Sequence, residues 1–463
     1  MSLAEGLPDG GEALTTAERA LSYSGGDAQV TVIRERSLLS RFAHSQPTQA
    51  TEVDAVRVSV ICVRDGHPGE AGTTNLDDDA LRDVARRASA AAEATARAGP
   101  GRYPSLPVPG LTRLHQGYDV ETAALAPARA GAALRTVFEI ARRSRLEASG
   151  AWTAGVVETA VASSAGMAQR DSVTDAQLRV VMTAAGGRTG FASGTAKAAA
   201  GIDESAVAER AAGLVDGGEP VELPPGAYPV VLGPAAVADL LDFAGGLAFN
   251  GLAFAEGRSP ISGRLGQRVA AACINLSDSP RFALTLPRAF DAEGVPKQPL
   301  PLVQDGVAHA VVHDTRSAAL AGGAARSTGH ALVPGGALSG PAPTNLVLTG
   351  GGAADEEELA VPIERGIHVT RLWYVNPVDA KRGLLTGMTR DGTFLIEDGR
   401  RTRPLRDVRF TDEILRILSA TQALTAGQQL VGLGHFYGPR FAYGAVTPAL
   451  RADGFRVTSS TAG

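Results

Sequence analysis

Eight histidines are spread over the chain, so each candidate base or metal ligand can be weighed singly. "HAVVH" sets His309 and His313 four residues apart. On a helix that spacing puts both rings on one face, as zinc enzymes of the H-E-x-x-H kind require. Ala310 stands where their general base belongs, and Val307, Val311 and Val312 after the Asp305-Gly306 turn read as a strand. Strand rise then separates the two Cα atoms by about 13 Å, too far for one ion. Two polar residues on a wet strand face are expected. "GHFYGPRFAYG" (residues 434–444) gathers His435, Tyr437, Arg440 and Tyr443 in a glycine-rich loop, able to line a peptide channel or to cover an apolar patch. A second such place is the turn holding Arg258, Arg264 and Arg268, which follows a helix whose only polar side chain between Phe243 and Phe254 is Asn250. Ser163 and Ser164 in "VASSAGM" have no G-x-S-x-G frame and no assignable base, so a turn is expected. The acidic runs Asp77–Asp79 and Asp355–Glu358 read as helix starts, where acids complement the macrodipole.

The elements that must position these groups read as an α+β fold. Residues 1–222 suggest an N-terminal α/β meander domain of two helix-plus-strands units, joined by a proline-rich connector near 100–110. Thr15 or Thr16 is a candidate cap for the first helix, and Asn75 or Asp77 for the second. Prolines 224, 225 and 229 mark the boundary. Residues 223–463 read as a large, mainly antiparallel β-sheet domain with few helices, at Ala235–Phe254, Glu356–Arg365 and Asp412–Ala420. "QRVAAACINLSD", "GVAHAVVHDT" and "GIHVTRLWYVN" are among its expected strands. At least one side chain among Leu372, Trp373, Tyr374 and Val375 and the aromatics of "GHFYGPRFAYG" is expected at a subunit seam or a substrate channel, with Trp373 equally readable as core.

The formal charge of −5, with no Lys/Arg-rich block, argues against a nucleic-acid footprint. No apolar run reaches the roughly 18 residues a membrane span needs. The first residues lack the pattern of a secretory signal. Cys62 and Cys273 sit in apolar runs and are expected to be buried free thiols. A cytoplasmic location follows as the expectation.

Several segments, taken in order, resemble the TldD/PmbA family, known also as the modulator-of-gyrase family. They are "EGRSPISGRLGQRVAAACINLSDSP", "DAEGVPKQPLPLVQDGV", "IERGIHVTRLWYVNPVDAKRGLLTG" and "GTFLIEDGRRTRPLRDVRF", preceded by "HPGEAGTTNLDDDALRDVARRA" and "HQGYDVETAAL". The resemblance implies a peptidase complex with two kinds of subunit. Its TldD-like branch carries HExxxH on the helix before the G-[RS]-S turn, and a later cysteine, to bind zinc. Alignment on Gly257 puts those helix positions at Asp242, Phe243 and Leu247, and the cysteine near Gly434. One carboxylate and, at most, a neighbouring imidazole, His435, cannot supply the three ligands of a catalytic zinc. The resemblance therefore implies the PmbA/TldE-like branch: no metal or cofactor in this chain, and zinc in a TldD-like partner. The chain would complete the channel for small or flexible peptides, with His435, Tyr437, Arg440 and Arg258 as channel candidates. A stand-alone homodimer that binds peptide or hydrolyses it without zinc is the alternative, and a protein-mediated action on gyrase a third.

Overall fold

The computed structural model describes residues 10–97, 99, 101, 103–215, 218–434 and 438–460. Helix α1 (Gly10–Ser22) starts before the expected caps, so Thr15 and Thr16 lie inside it. Strands β1 (Ala28–Ala43), β2 (Gln46–Arg64) and β3 (His67–Thr73) form a meander, followed by α2 (Asp78–Ala96) with Asp77 as N-cap. Helices α3 (Val120–Ala123) and α4 (Pro127–Arg143) lead into β4 (Glu147–Ser163), β5 (Ala168–Thr183) and β6 (Thr189–Ala196), then α5 (Glu204–Gly213). The two meanders are not separate units. Pairing of β1 with β4 from Gln29–Ser163 to Phe42–Gly150 fuses them into one antiparallel sheet, ordered β3-β2-β1-β4-β5-β6.

Helices cover this sheet in two pairs. α1 and α2 pack on Val30, Val32, Val58, Val60 and Ala162, while α4 and α5 pack on Trp152, Leu178, Val180 and Met182. Gly69 is needed for the first pair: a Cβ there would lie 2.0 Å from the backbone nitrogen of Ala92 on α2. Ser163 and Ser164 make the β4–β5 turn, their hydroxyls accepting from the backbone nitrogens of Met167 and Ala28.

From residue 226 onward come β7 (Gly226–Leu232), α6 (Pro234–Leu247), α7 (Gly251–Ala255), β8 (Leu276–Asp278), β9 (Leu300–Gln304) and β10 (Val307–Ala308). Next are α8 (Thr315–Ala321), β11 (Leu346–Leu348), α9 (Glu356–Ala360), β12 (Arg365–Asp379), β13 (Leu384–Glu397) and β14 (Arg400–Pro404). The last are β15 (Val408–Glu413), α10 (Ile414–Ser419), β16 (Thr421–Leu424), β17 (Gln429–Gly432), β18 (Gly444–Thr447) and β19 (Leu450–Ser460). One sheet runs β10-β9-β8-β11-β18-β17. In the other, β12-β7-β19-β15-β13 closes into a ring because β13 also pairs with β12. Most pairs are antiparallel, as the α+β reading expects, but β7–β12 and β11–β18 are parallel. Helix α6 buries Leu240, Leu241 and Ala244 in the core shared by ring and sheet.

Several expectations change. The helix expected over Ala235–Phe254 is broken between Leu247 and Gly251, because Asn250 is an N-cap. Its Oδ1 accepts from the nitrogens of Leu252 and Ala253, and its Nδ2 donates to the Ser339 carbonyl. "QRVAAACINLSD" forms a strand only at its last residues, and Cys273 is an exposed free thiol, whereas Cys62 is buried. "HAVVH" is not a wet strand face, since β10 ends at Ala308; His309 is exposed and His313 is buried against Ser317. Among the described residues no helix is long and apolar enough to cross a membrane.

Asn250→Ala removes a buried cap and leaves the Ser339 carbonyl unmet, which should cost about 2 kcal/mol. A lower denaturant midpoint at unchanged slope would show it; an unmoved midpoint would refute the role.

Candidate functional site

Helix α6 places Asp239 and Asp242 three residues apart, on a side different from its Leu240–Leu241–Ala244 core face. Phe243 and Leu247 are partly buried and pack against the large core cluster. Into this neighbourhood β5 sends Arg179, whose guanidinium donates to the carbonyls of Gly432 at 2.8 Å and Gly434 at 3.4 Å. Burial lowers the Arg179 pKa, while Asp239 acts to hold its proton and Arg371 to expel it. Desolvation pushes the Asp239 carboxyl up to about 7, against a hydrogen bond from the Leu372 backbone and the charges of Arg371 and Arg179. Burial and the negative charge of Asp242 raise Tyr443. Asp239, Asp242, Arg179, Tyr443 and the Gly434 carbonyl thus form one charged cluster where α6, β5 and the segment after β17 meet.

These described residues do not make up a zinc ligand set. Of the positions that would carry ligands, Asp242 offers oxygens, Phe243 and Leu247 offer no lone pair, and Gly434 has no side chain. A permanent cation already sits against Gly434. Among the described residues no three His, Cys, Asp or Glu side chains gather as a metal group.

The channel candidates fare differently. His435 and Tyr437 lie outside the described residues. Arg440 is an internal clamp rather than an open channel group. Its Nε and Nη2 donate to the two carboxylate oxygens of Asp175 at 2.7 and 2.9 Å, and its Nη1 donates to Thr153 Oγ1 at 2.8 Å. Its backbone nitrogen donates to Glu35 Oε2 at 2.8 Å. Arg258 is exposed after α7 and bonds Glu256. The guanidinium groups of Arg371 and Arg390 each lie 4.9 Å from the Trp373 ring centroid, while Tyr374 is 73% exposed.

Asp175, Gln177 and Arg179 on β5 escaped sequence reasoning. They alternate with Ala176, Leu178 and Val180, the pattern of a strand with one face in water. Both faces are covered: Gln177 donates to the Gly432 carbonyl at 3.0 Å, and Asp175 is 9% exposed. The available signal was an acid, an amide and a base in strict alternation.

Beside this seam lies a cavity of about 680 Å³, lined by Phe191 and Ser193 of β6, Arg210, Pro234, Glu356, His368 and Gln429. A neighbouring cavity of about 500 Å³ shares Ser193, Arg210, Gln428 and Gln429 with it. β6 and β17, which contribute to both, are each the terminal strand of their sheet. Glu356 reaches His368 across the larger cavity; burial works to raise its carboxyl, but His368, Arg401 and Arg210 together hold it low. Asp355, beginning the acidic run, caps α9 by accepting from the Glu358 nitrogen.

A second buried cluster is built from "DAEGVPK". Lys297 Nζ lies 3.1 Å and His330 Nε2 3.2 Å from Asp278 Oδ1. Asp291 accepts from the nitrogens of Glu293, Val295 and Ala331. Tyr103 donates to Glu293. Each member is held by an ion pair or a hydrogen bond inside the protein.

Two outcomes follow. Arg440→Ala strands Asp175 in a buried site and should destabilise by about 3–5 kcal/mol, visible as a lower melting point and faster proteolysis after β17. A melt matching wild type would refute the clamp. For Asp239 the folded pKa lies above the ordinary 3.8, so the folded state binds the proton more tightly, and its stabilising contribution is lost as pH rises from about 4 through about 7. The melting point should therefore fall between about pH 4 and about pH 7 more steeply in wild type than in Asp239→Asn; parallel profiles would count against it.

Comparison with known proteins agrees with this architecture. Residues 225–459 match the family model described as the PmbA/TldA metallopeptidase C-terminal domain. The metalloprotease TldD homolog of Haemophilus influenzae is 26% identical over 245 residues, half of this chain and 48% of that protein, so the match spans about half that relative's length. In fold, TldE from Thermococcus kodakarensis superposes with a TM-score of 0.83 at 20% identity, covering 96% of this chain and 99% of that one. A putative modulator of a DNA gyrase from Thermotoga maritima gives 0.80 at 18% identity, with the same coverage. With the family model covering half of its length and the fold shared end to end, the chain belongs to the TldD/PmbA/TldE family.

Proposed function

We propose that this chain is the metal-free, TldE-like subunit of a heterodimeric TldD/TldE-type metallopeptidase of the cytoplasm. The observation that carries the reading is the charged cluster on α6. Where zinc would need three ligands, Asp242 stands with Phe243 and Leu247, and the Arg179 guanidinium lies against Gly434. A buried guanidinium repels a second cation at that distance. Zinc, general base and activated water would then come from the partner. This chain would help to enclose and hold a small or flexible peptide in extended form. The terminal strands β6 and β17 beside the cavities suit that role where their edges are open, since extended chains add to sheet edges through backbone hydrogen bonds; at Gly432 the edge of β17 is already taken by Gln177, Arg179 and Thr195.

A stand-alone homodimeric peptide-binding protein or zinc-independent hydrolase would lean on His435, Tyr437 and Arg440. The commitment of Arg440 to Asp175 and Thr153 weighs against it.

Elemental analysis of the purified chain after dialysis should find far less than one zinc per molecule. Peptide cleavage should appear only when the TldD-type subunit of the same organism is added. Stoichiometric zinc in the chain alone, or cleavage by it alone, would overturn the reading.

A further inference from the structure

The proline-rich connector is fastened at both ends yet leaves its apolar side chains in solvent. Tyr103 and Leu106 are buried with Ile61 and Val63. At the other end His115 pairs with Asp171 at 2.7 Å, both side chains under 10% exposed, and the Gly117 carbonyl accepts from the Thr174 nitrogen. Gln169 donates to the Gly110 carbonyl in between. The backbone is therefore held, but Val108 is 77%, Leu111 85% and Leu114 98% exposed, with Tyr118 and Val120 partly so. Phe282 and Leu284 extend the same surface, because Arg281 donates to the Arg113 carbonyl at 3.2 Å and Pro287 lies against Gly117. Seven of the fourteen large apolar residues most exposed among those described lie in these two segments.

Monomers seldom leave a contiguous apolar patch beyond a few hundred Å² in water, and seven large side chains at these exposures reach that scale. It is also a substantial part of the roughly 800 Å² per partner in a stable interface. Charge decides what covers it. Arg113 lies between Leu111 and Leu114, and its charge acts against that of Arg281; the carboxylate that acts on Arg281, Asp171, is already paired with His115. Asp119 is spent capping α3, and Glu121 lies past Val120 at the far end. A second copy docked two-fold about Leu111 and Leu114 would set these arginines against their own images. Such like-charge juxtaposition disfavours a partner, and carboxylates opposite would favour it.

Resting on the heterodimer reading above, we propose that residues 108–120 with Phe282 and Leu284 are the face on which the TldD-type subunit docks, through an apolar surface whose carboxylates meet Arg113 and Arg281. The test titrates wild type, a Leu111→Glu/Leu114→Glu variant and Arg113→Glu against that subunit, following complex formation by light scattering. Both leucines are already in solvent, so the variants should melt as wild type does. The double variant should bind about 100-fold more weakly, as loss of central anchors does. Arg113→Glu should lose about tenfold and flatten the salt dependence. Wild type and double variant binding the subunit equally well would overturn the docking face while leaving the heterodimer intact. Wild type failing to bind the subunit at all would overturn the heterodimer and the face together. Self-association of wild type that the double variant abolishes would show that a second copy is the occupant, and would overturn the assignment to the TldD-type subunit.

Discussion

Two guanidinium groups cross the seam between the first sheet and the segment that follows β17, and much of the molecule is arranged to meet their charge. Arg179 reaches out from β5 to the Gly432 and Gly434 carbonyls, and Arg440 reaches back to Asp175 on the same strand. A buried guanidinium without acceptors costs several kcal/mol, so each must be answered by a carboxylate or by carbonyls held in place. The carbonyls come from backbone that Gln177 and Thr195 also grip. The carboxylates come from β5 and, through Asp239, from α6. The bonds that seat the segment after β17 are thus the bonds that bring Gly434 to α6. Joining the two halves of the chain and building the cluster are one event.

That coupling explains what sequence reading reached and what it did not. The helices α2, α4 and α5 and the long strands of the first sheet followed from periodicity, because each has one apolar face and a local cap or turn. The fusion of two meanders into one sheet did not, since nothing local says that β1 will choose β4. Short strands such as β8 and β10 were overestimated, because alternation in "QRVAAACINLSD" and "GVAHAVVHDT" is as compatible with buried loops as with ladders. Asn250 was visible as the single polar residue in an apolar stretch. Its meaning as a cap depends on the chain turning after Leu247, which its two backbone acceptor bonds impose.

In the site, the resemblance drew attention to Asp242, Phe243 and Leu247, which lie on α6, so that helix was legible. The counter-charges were not. Asp175 and Arg179 lie more than 250 residues before the segment they hold, and their alternation on β5 looks like an ordinary solvated face. Polar residues on a strand reveal burial only when the covering segment is known. Arg440 was misjudged for the same reason, an exposed-looking loop arginine whose partners are distant in sequence.

The place of α6 in the fold follows from its faces. Leu240, Leu241 and Ala244 are wholly buried in the core that the ring shares with the sheet β10-β9-β8-β11-β18-β17. Phe243 and Leu247 add apolar contact to the same core, where a carboxylate or an imidazole would have needed a metal to offset its desolvation. On the proposed reading that the chain holds no metal, aromatic and aliphatic side chains suit positions 243 and 247, and the Arg179 guanidinium supplies positive charge to Asp239. The helix is held by its core side, and under the proposed metal-free reading its other side faces an arginine's charge where a metal's would be.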